Sequence, residues 1–123
     1  MTKSAALHRS LTAVAATLAA LALITVTAAN APAATKPNTL IATVGPGFTI
    51  TMNKKTVKAG TYTIIVHDRS SLHNFHLTGP GVNKLTSVPA IGTTTWTVNL
   101  KKGSYRYVCD PHLAIMHGTL KVT

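Results

Sequence analysis

The final stretch of the chain, Tyr107 to Thr123, reads YVCDPHLAIMHGTLKVT. It contains the only cysteine, Cys109, followed three residues later by His112 and four after that by Met116. Taken singly, a buried cysteine is often just a small hydrophobe and a methionine is core filling. A lone histidine is usually a hydrogen-bonded side chain. Together on one short loop they form a more specific set. Thiolate and imidazole suit several first-row metals, zinc and copper among them. The thioether discriminates, because methionine is a soft ligand that zinc seldom needs. One cysteine, two histidines and a weak axial methionine describe a copper electron-transfer site. Pro111, with its locked φ, stiffens the loop just before His112.

The second imidazole must come from elsewhere. His73 and His76 lie in the run LHNFHLT (72–78). Successive side chains of a strand alternate between faces. His73 then shares a face with Phe75 and Leu77 and points inward, while His76 shares the other face with Asn74 and points outward. An inward imidazole beside a core needs a hydrogen-bond partner or a metal, so His73 is the candidate. His67, His117 and His8 have no partner that the sequence reveals. His117 can stand in for its neighbour Met116 if the loop turns differently.

The elements that must position these donors are short β runs. TLIATV (39–44), FTITM (48–52), TYTIIVHD (61–68), LHNFHLT, TTTWTVNL (93–100), SYRYVCD (104–110) and GTLKVT (118–123) are rich in Thr, Val, Ile and aromatics. Gly and Pro separate them, as in Gly45-Pro46-Gly47 and Lys101-Lys102-Gly103. Residues 79–92 read as a long loop with room for one helical turn, and no segment after the leader keeps a helical period. Such a set predicts an all-β antiparallel sandwich or barrel. Parity puts Tyr62, Ile64 and Val66 on one face, Trp96, Val98 and Leu100 on another, and Cys109 at the end of the buried face of Tyr105 and Tyr107.

The start of the chain has another character. A basic opening with Lys3 and Arg9 precedes an uncharged run from Leu11 to Ala29, and Ala31-Pro32-Ala33 supplies a small-x-small exit. That is the pattern of a signal peptide. The expected organisation is a leader at 1–33, a linker at 34–38 and one domain at 39–123, located outside the cytoplasm. Retention as a membrane anchor is the alternative, since the run approaches the roughly 20 residues that span a bilayer. An exported domain with one cysteine cannot form an internal disulfide, so the thiol calls for a metal, a reactive role or an intermolecular bridge. The chain carries 12 Lys or Arg against two Asp and no Glu, a formal charge of +10. This excess favours an acidic partner or an anionic surface. Nucleic acid is not expected for an exported chain whose bases form no dense run. With no Glu, no nucleophile–base set and no Cys-x-x-Cys-His for haem, nothing marks an enzyme.

SLHNFHLTGPG, TWTVNLKKGSYRYVCDPH and MHGTLKV resemble a small blue copper protein, a cupredoxin of the plastocyanin, pseudoazurin and azurin family. The resemblance covers most of the chain after the leader. It implies a Greek-key β-sandwich holding one type 1 copper ion at one end. His73, Cys109 and His112 would be equatorial ligands and Met116 the axial one. Asn74 would tie the two ligand loops together by hydrogen bonds. The loop here reads Cys-x2-His-x3-Met, one residue shorter between His and Met than in plastocyanin. The resemblance further implies a monomeric one-electron carrier that meets a redox protein partner and takes no small-molecule substrate. The apolar Leu113, Ala114 and Ile115 are expected to dock that partner. A copper carrier or buffer using the same ligands, and a metal-free sandwich that binds surfaces, are the competing expectations.

Overall fold

Alternation of Thr with buried aliphatic and aromatic residues produces nine strands in the computed structural model, which describes residues 38–123. The predicted leader and all of the linker except Asn38 lie outside the described residues. The strands are β1 (Asn38–Val44), β2 (Ile50–Met52), β3 (Thr56–Val57), β4 (Gly60–Asp68), β5 (His76–Gly79), β6 (Val82–Leu85), β7 (Gly92–Leu100), β8 (Gly103–Val108) and β9 (His117–Val122). A single 3₁₀ turn, Asp110–His112, interrupts the β8–β9 connection. Among the described residues no helix is long and apolar enough to cross a membrane.

Two sheets stack on each other. The first runs β2-β1-β4-β7, the second β3-β9-β8-β5-β6. The chain crosses between them from β2 to β3, β3 to β4, β4 to β5, β6 to β7 and β7 to β8, as a Greek-key sandwich requires. The inner faces are those that parity predicts. Leu40, Ala42 and Val44 of β1, Tyr62, Ile64 and Val66 of β4, and Val98 and Leu100 of β7 are buried. They meet Leu77, Tyr105, Tyr107, Leu120 and Val122 of the second sheet. Phe75 stacks on Tyr107 with ring centroids 5.7 Å apart. Burial of this apolar surface is the main source of stability in a domain of this size.

Three expectations are corrected. The sheets are mixed, not antiparallel throughout, because β1 pairs parallel to β4 and β3 parallel to β9. In each case the chain visits the opposite sheet or a hairpin before returning, which gives the length a parallel connection needs. The predicted loop 79–92 contains β6, turned back onto β5 by Pro80 and by Gly81 at φ +73°. Finally, residues 72–75 do not join β5. Thr86 takes over there: its hydroxyl accepts from the Phe75 N–H at 2.9 Å and its N–H donates to the Phe75 carbonyl at 3.0 Å.

Candidate metal centre

Strand β8 carries its buried face, Tyr105 and Tyr107, straight on to Cys109, which is fully buried. The ladder stops at Val108, and the loop beyond is closed by its own backbone. The Cys109 N–H donates to the Met116 carbonyl at 2.9 Å, and the Met116 N–H to the His112 carbonyl at 2.8 Å. The His112 N–H donates to the Cys109 carbonyl at 3.1 Å. Strand β9 starts at His117, and a Cβ at Gly118 would collide with the Tyr107 ring, so glycine lets the loop re-enter the sheet there without displacing that ring. His73 arrives from the β4–β5 connection. The Asp68 carboxylate accepts from the Ser70 N–H at 3.1 Å, and the Ser70 hydroxyl from the Leu72 N–H at 3.2 Å. Asp68 is itself buried and its Oδ2 has no protein partner. Burial pushes its carboxyl above the usual range, against the Ser70 N–H and the nearby His73.

These two loops bring three donors together. Nδ1 of His73 and Nδ1 of His112 are 3.0 Å apart, and the Cys109 Sγ lies 3.7 Å from the first and 3.5 Å from the second. A point equidistant from the three atoms lies roughly 2.0 Å from each, matching metal–nitrogen bonds of about 2.0–2.1 Å and a little short of a metal–thiolate bond of about 2.3 Å. Donors at this spacing would hold a first-row ion with only a small outward shift of the sulfur. His73 and Cys109 are buried, and His112 is half-buried. Met116 is fully buried behind the same loop, whereas His117 points to solvent. The orientation that would let His117 replace Met116 is not adopted.

Asn74 joins the two loops. Its Oδ1 accepts from the Asp110 N–H at 2.8 Å, and its Nδ2 donates to Asp110 Oδ2 at 2.8 Å and to the Thr86 carbonyl at 3.3 Å. The strand parity that put Asn74 on the outer face fails because residues 73–75 are off the ladder; its side chain is buried. His76 does face outward, half-buried, and meets Asp110 Oδ1 at 2.8 Å and Asn83 Oδ1 at 2.7 Å. Burial alone would lower the His76 pKa, but its bonds to Asp110 and Asn83 and the Asp110 charge outweigh it and raise the pKa. For Asp110 burial again opposes the charge; the bonds from Asn74 and His76 prevail and hold its carboxyl below the usual range.

Phe48 is the residue that the sequence did not mark. Its ring sits edge-on to both imidazoles, with centroids 5.5 Å from His73 and 4.9 Å from His112. The Gly45-Pro46-Gly47 turn removes it from β2 and lays it over the site. A Cβ at Gly45 would lie 3.0 Å from the Ser70 Cβ, and its φ of +71° also favours glycine, so the turn packs close against the His73 loop. Phe48 is 60% exposed, and Leu72, Leu113 and Ile115 are exposed with it. Ala114 is exposed between the last two.

A family model described as a cupredoxin-like domain matches residues 15–122. Among solved structures, reduced rusticyanin is 23% identical over 69% of this chain and 78% of its own, with a TM-score of 0.54. Rusticyanin from Thiobacillus ferrooxidans is 22% identical over 69% and 76%, with a TM-score of 0.51. Auracyanin A, a "blue" copper protein from the green thermophilic photosynthetic bacterium Chloroflexus aurantiacus, is 21% identical over 72% and 100%, with a TM-score of 0.47. At these identities the rusticyanin likeness is one of fold. No curated protein matches the chain.

Proposed function

The chain belongs to the family of cupredoxin-like domains, and on that premise we propose that it is an exported type 1 copper protein, a one-electron carrier of the plastocyanin, pseudoazurin and azurin kind. The observation that carries this reading is the convergence of the His73, Cys109 and His112 donors within 4.8 Å of one another, with the buried Met116 on the same loop. Copper bound by a thiolate, two imidazoles and a thioether supplies a one-electron couple whose two states accept nearly the same ligand geometry. The rest is the work of the protein. Backbone bonds across the Cys109–Met116 loop hold the donors where they are needed. Asn74 fixes one ligand loop against the other, in the manner of outer partners that orient metal ligands. Four protein donors leave no open position for a substrate, which speaks for a carrier rather than an enzyme.

His112 is the side chain through which an electron leaves, because among the four donors it alone is not buried. The apolar rim of Leu113, Ala114 and Ile115, extended by Phe48 and Leu72, suits a redox partner that docks there. Without Lys3 and Arg9 of the leader, ten Lys or Arg still face two Asp, and this basic excess steers an acidic partner toward the carrier. Export follows from the leader pattern and a monomer from the family kind.

Addition of Cu(II) to the reduced protein tests the reading directly. An intense visible thiolate-to-copper band, absent in Cys109→Ser, is the expected result. Binding without such a band would point to copper carriage, and no binding at all to a metal-free module. The docking rim is tested by electron self-exchange of the copper-loaded protein at high salt. Leu113→Lys should slow it, and an unchanged rate would remove Leu113 from the contact.

A further inference from the structure

The tie between Asn74 and the cysteine loop accounts for one oxygen of Asp110 and its N–H. The other oxygen is taken from outside the site. His76 opens β5, opposite Val108 of β8 and Leu85 of β6. Its two ring nitrogens span from Asp110 Oδ1 at 2.8 Å to Asn83 Oδ1 at 2.7 Å. The residue next to the sulfur is thus held at three points: its N–H and Oδ2 by Asn74, its Oδ1 by the ring. On the other side of the sulfur, the Cys109 N–H is bonded to Met116.

An ion pair this exposed contributes little to stability. Its geometric effect is larger. Asp110 begins the 3₁₀ turn that carries His112, so a carboxylate free to swing would loosen both the Cα of Cys109 and the start of that turn. Asn83 prevents this by fixing the far side of the ring from a different strand, β6. We propose that His76, braced by Asn83, is a positioning residue for the Cys109 thiolate and sets how that sulfur meets a bound metal. The inference rests on the copper reading above.

The test compares wild type with His76→Phe, which keeps a ring but loses both bonds, and His76→Gln, which restores a donor toward Asp110. Each protein is loaded with Cu(II), its thiolate band recorded, and its affinity measured against a competing chelator. Each is also melted without metal. His76→Phe should bind copper more weakly by up to about 10-fold, the low end of the loss when an outer partner of a ligand is removed, because His76 acts through Asp110 and not on a ligand itself, and its band should shift in position or relative intensity. His76→Gln should recover most of both. An unchanged band and affinity in His76→Phe overturn the proposal, even if the metal-free protein melts lower, because that pattern is a purely structural role. Should His76→Phe not fold, Asn83→Leu takes its place. It removes only the outer brace, so a shifted band supports the proposal and an unmoved one overturns it. A wild-type protein without any thiolate band sinks the copper reading, and this inference with it, before any variant is examined.

Discussion

The two sheets of the sandwich are built to different standards of regularity. In the first, β4 and β7 pair without interruption over nine residues, from Gly60 opposite Leu100 to Asp68 opposite Gly92. Its outer face is a grid of threonines, Thr39, Thr43, Thr51, Thr61, Thr63, Thr93, Thr95 and Thr97, with Ile41, Ile65, His67 and Asn99 and no Lys, Arg, Asp or Glu. None of the candidate ligands lies in it. In the second, the ladder ends just where a donor is needed. Cys109 follows the last residue of β8, Met116 precedes the first of β9, and His73 lies three residues ahead of β5. A side chain in a regular ladder points to one of two faces. Leaving the ladder lets three donors aim at a single point. The first sheet thus supplies stability, and the second spends regularity on chemistry while side-chain bonds from Asn74, Thr86 and His76 replace the missing ladder.

This division can be tested by substitutions in the two sheets. Ile64→Ala, in the buried face of β4, should cost the most stability, about 2–5 kcal/mol, read by denaturant unfolding. The folded fraction should keep the copper band of the wild type; a shifted band would show that the first sheet shapes the site after all. Gly118→Ala, in β9, should cost less, about 1–3 kcal/mol for an added group in a packed place. Because the added Cβ meets the Tyr107 ring beside the ligand loop, this variant should move the band. An unmoved band would separate β9 from the geometry of the site.

A smaller effect is expected from pH. The folded His76 pKa lies above 6.5. Its contribution to stability is therefore complete below that value and lost as pH rises through the raised pKa. The folded Asp110 pKa lies below 3.8, so its contribution is present above that value and lost as pH falls through the lowered one. The pair's window is the mildly acidic range between them. The melting temperature of metal-free wild type should exceed that of His76→Gln most in this window, and the gap should close at alkaline pH. A gap independent of pH would rule out the ion pair as its source. Least of all, Thr97→Val on the exposed face of β7 should change stability by no more than about 0.5 kcal/mol and leave the copper band alone.

Legibility in the sequence follows the same division. Alternation places β1, β4 and β7 within one residue of their observed starts, because an unbroken ladder obeys period two. It mislays Asn74 because parity has no meaning once Thr86 replaces the ladder. The spacing of Cys109, His112 and Met116 was legible since all three lie on one local loop. Parity also turns His73 inward, and it is buried, but it lies off the same ladder as Asn74, so that agreement does not rest on alternation. Phe48 was hidden in a strand-like run, FTITM, and only the glycine turn before it takes it out of the sheet. The pairing of His76 with Asp110 and Asn83 joins residues 34 and 7 positions apart, and no local pattern announces it. It requires knowing that β6 exists and lies beside β5.

Complete burial of Cys109 has a consequence for handling the protein. Thiol–disulfide exchange needs a sulfur that another molecule can approach, and the native fold withholds it. Two native molecules cannot be joined through their single cysteines, although each carries one unpaired. The thiol becomes available to an alkylating reagent only when the sandwich opens. In metal-free protein its labelling rate therefore counts opening events, and when opening is fast relative to labelling it reports the equilibrium population of the open form. The one sulfhydryl in the chain is a clock for its unfolding.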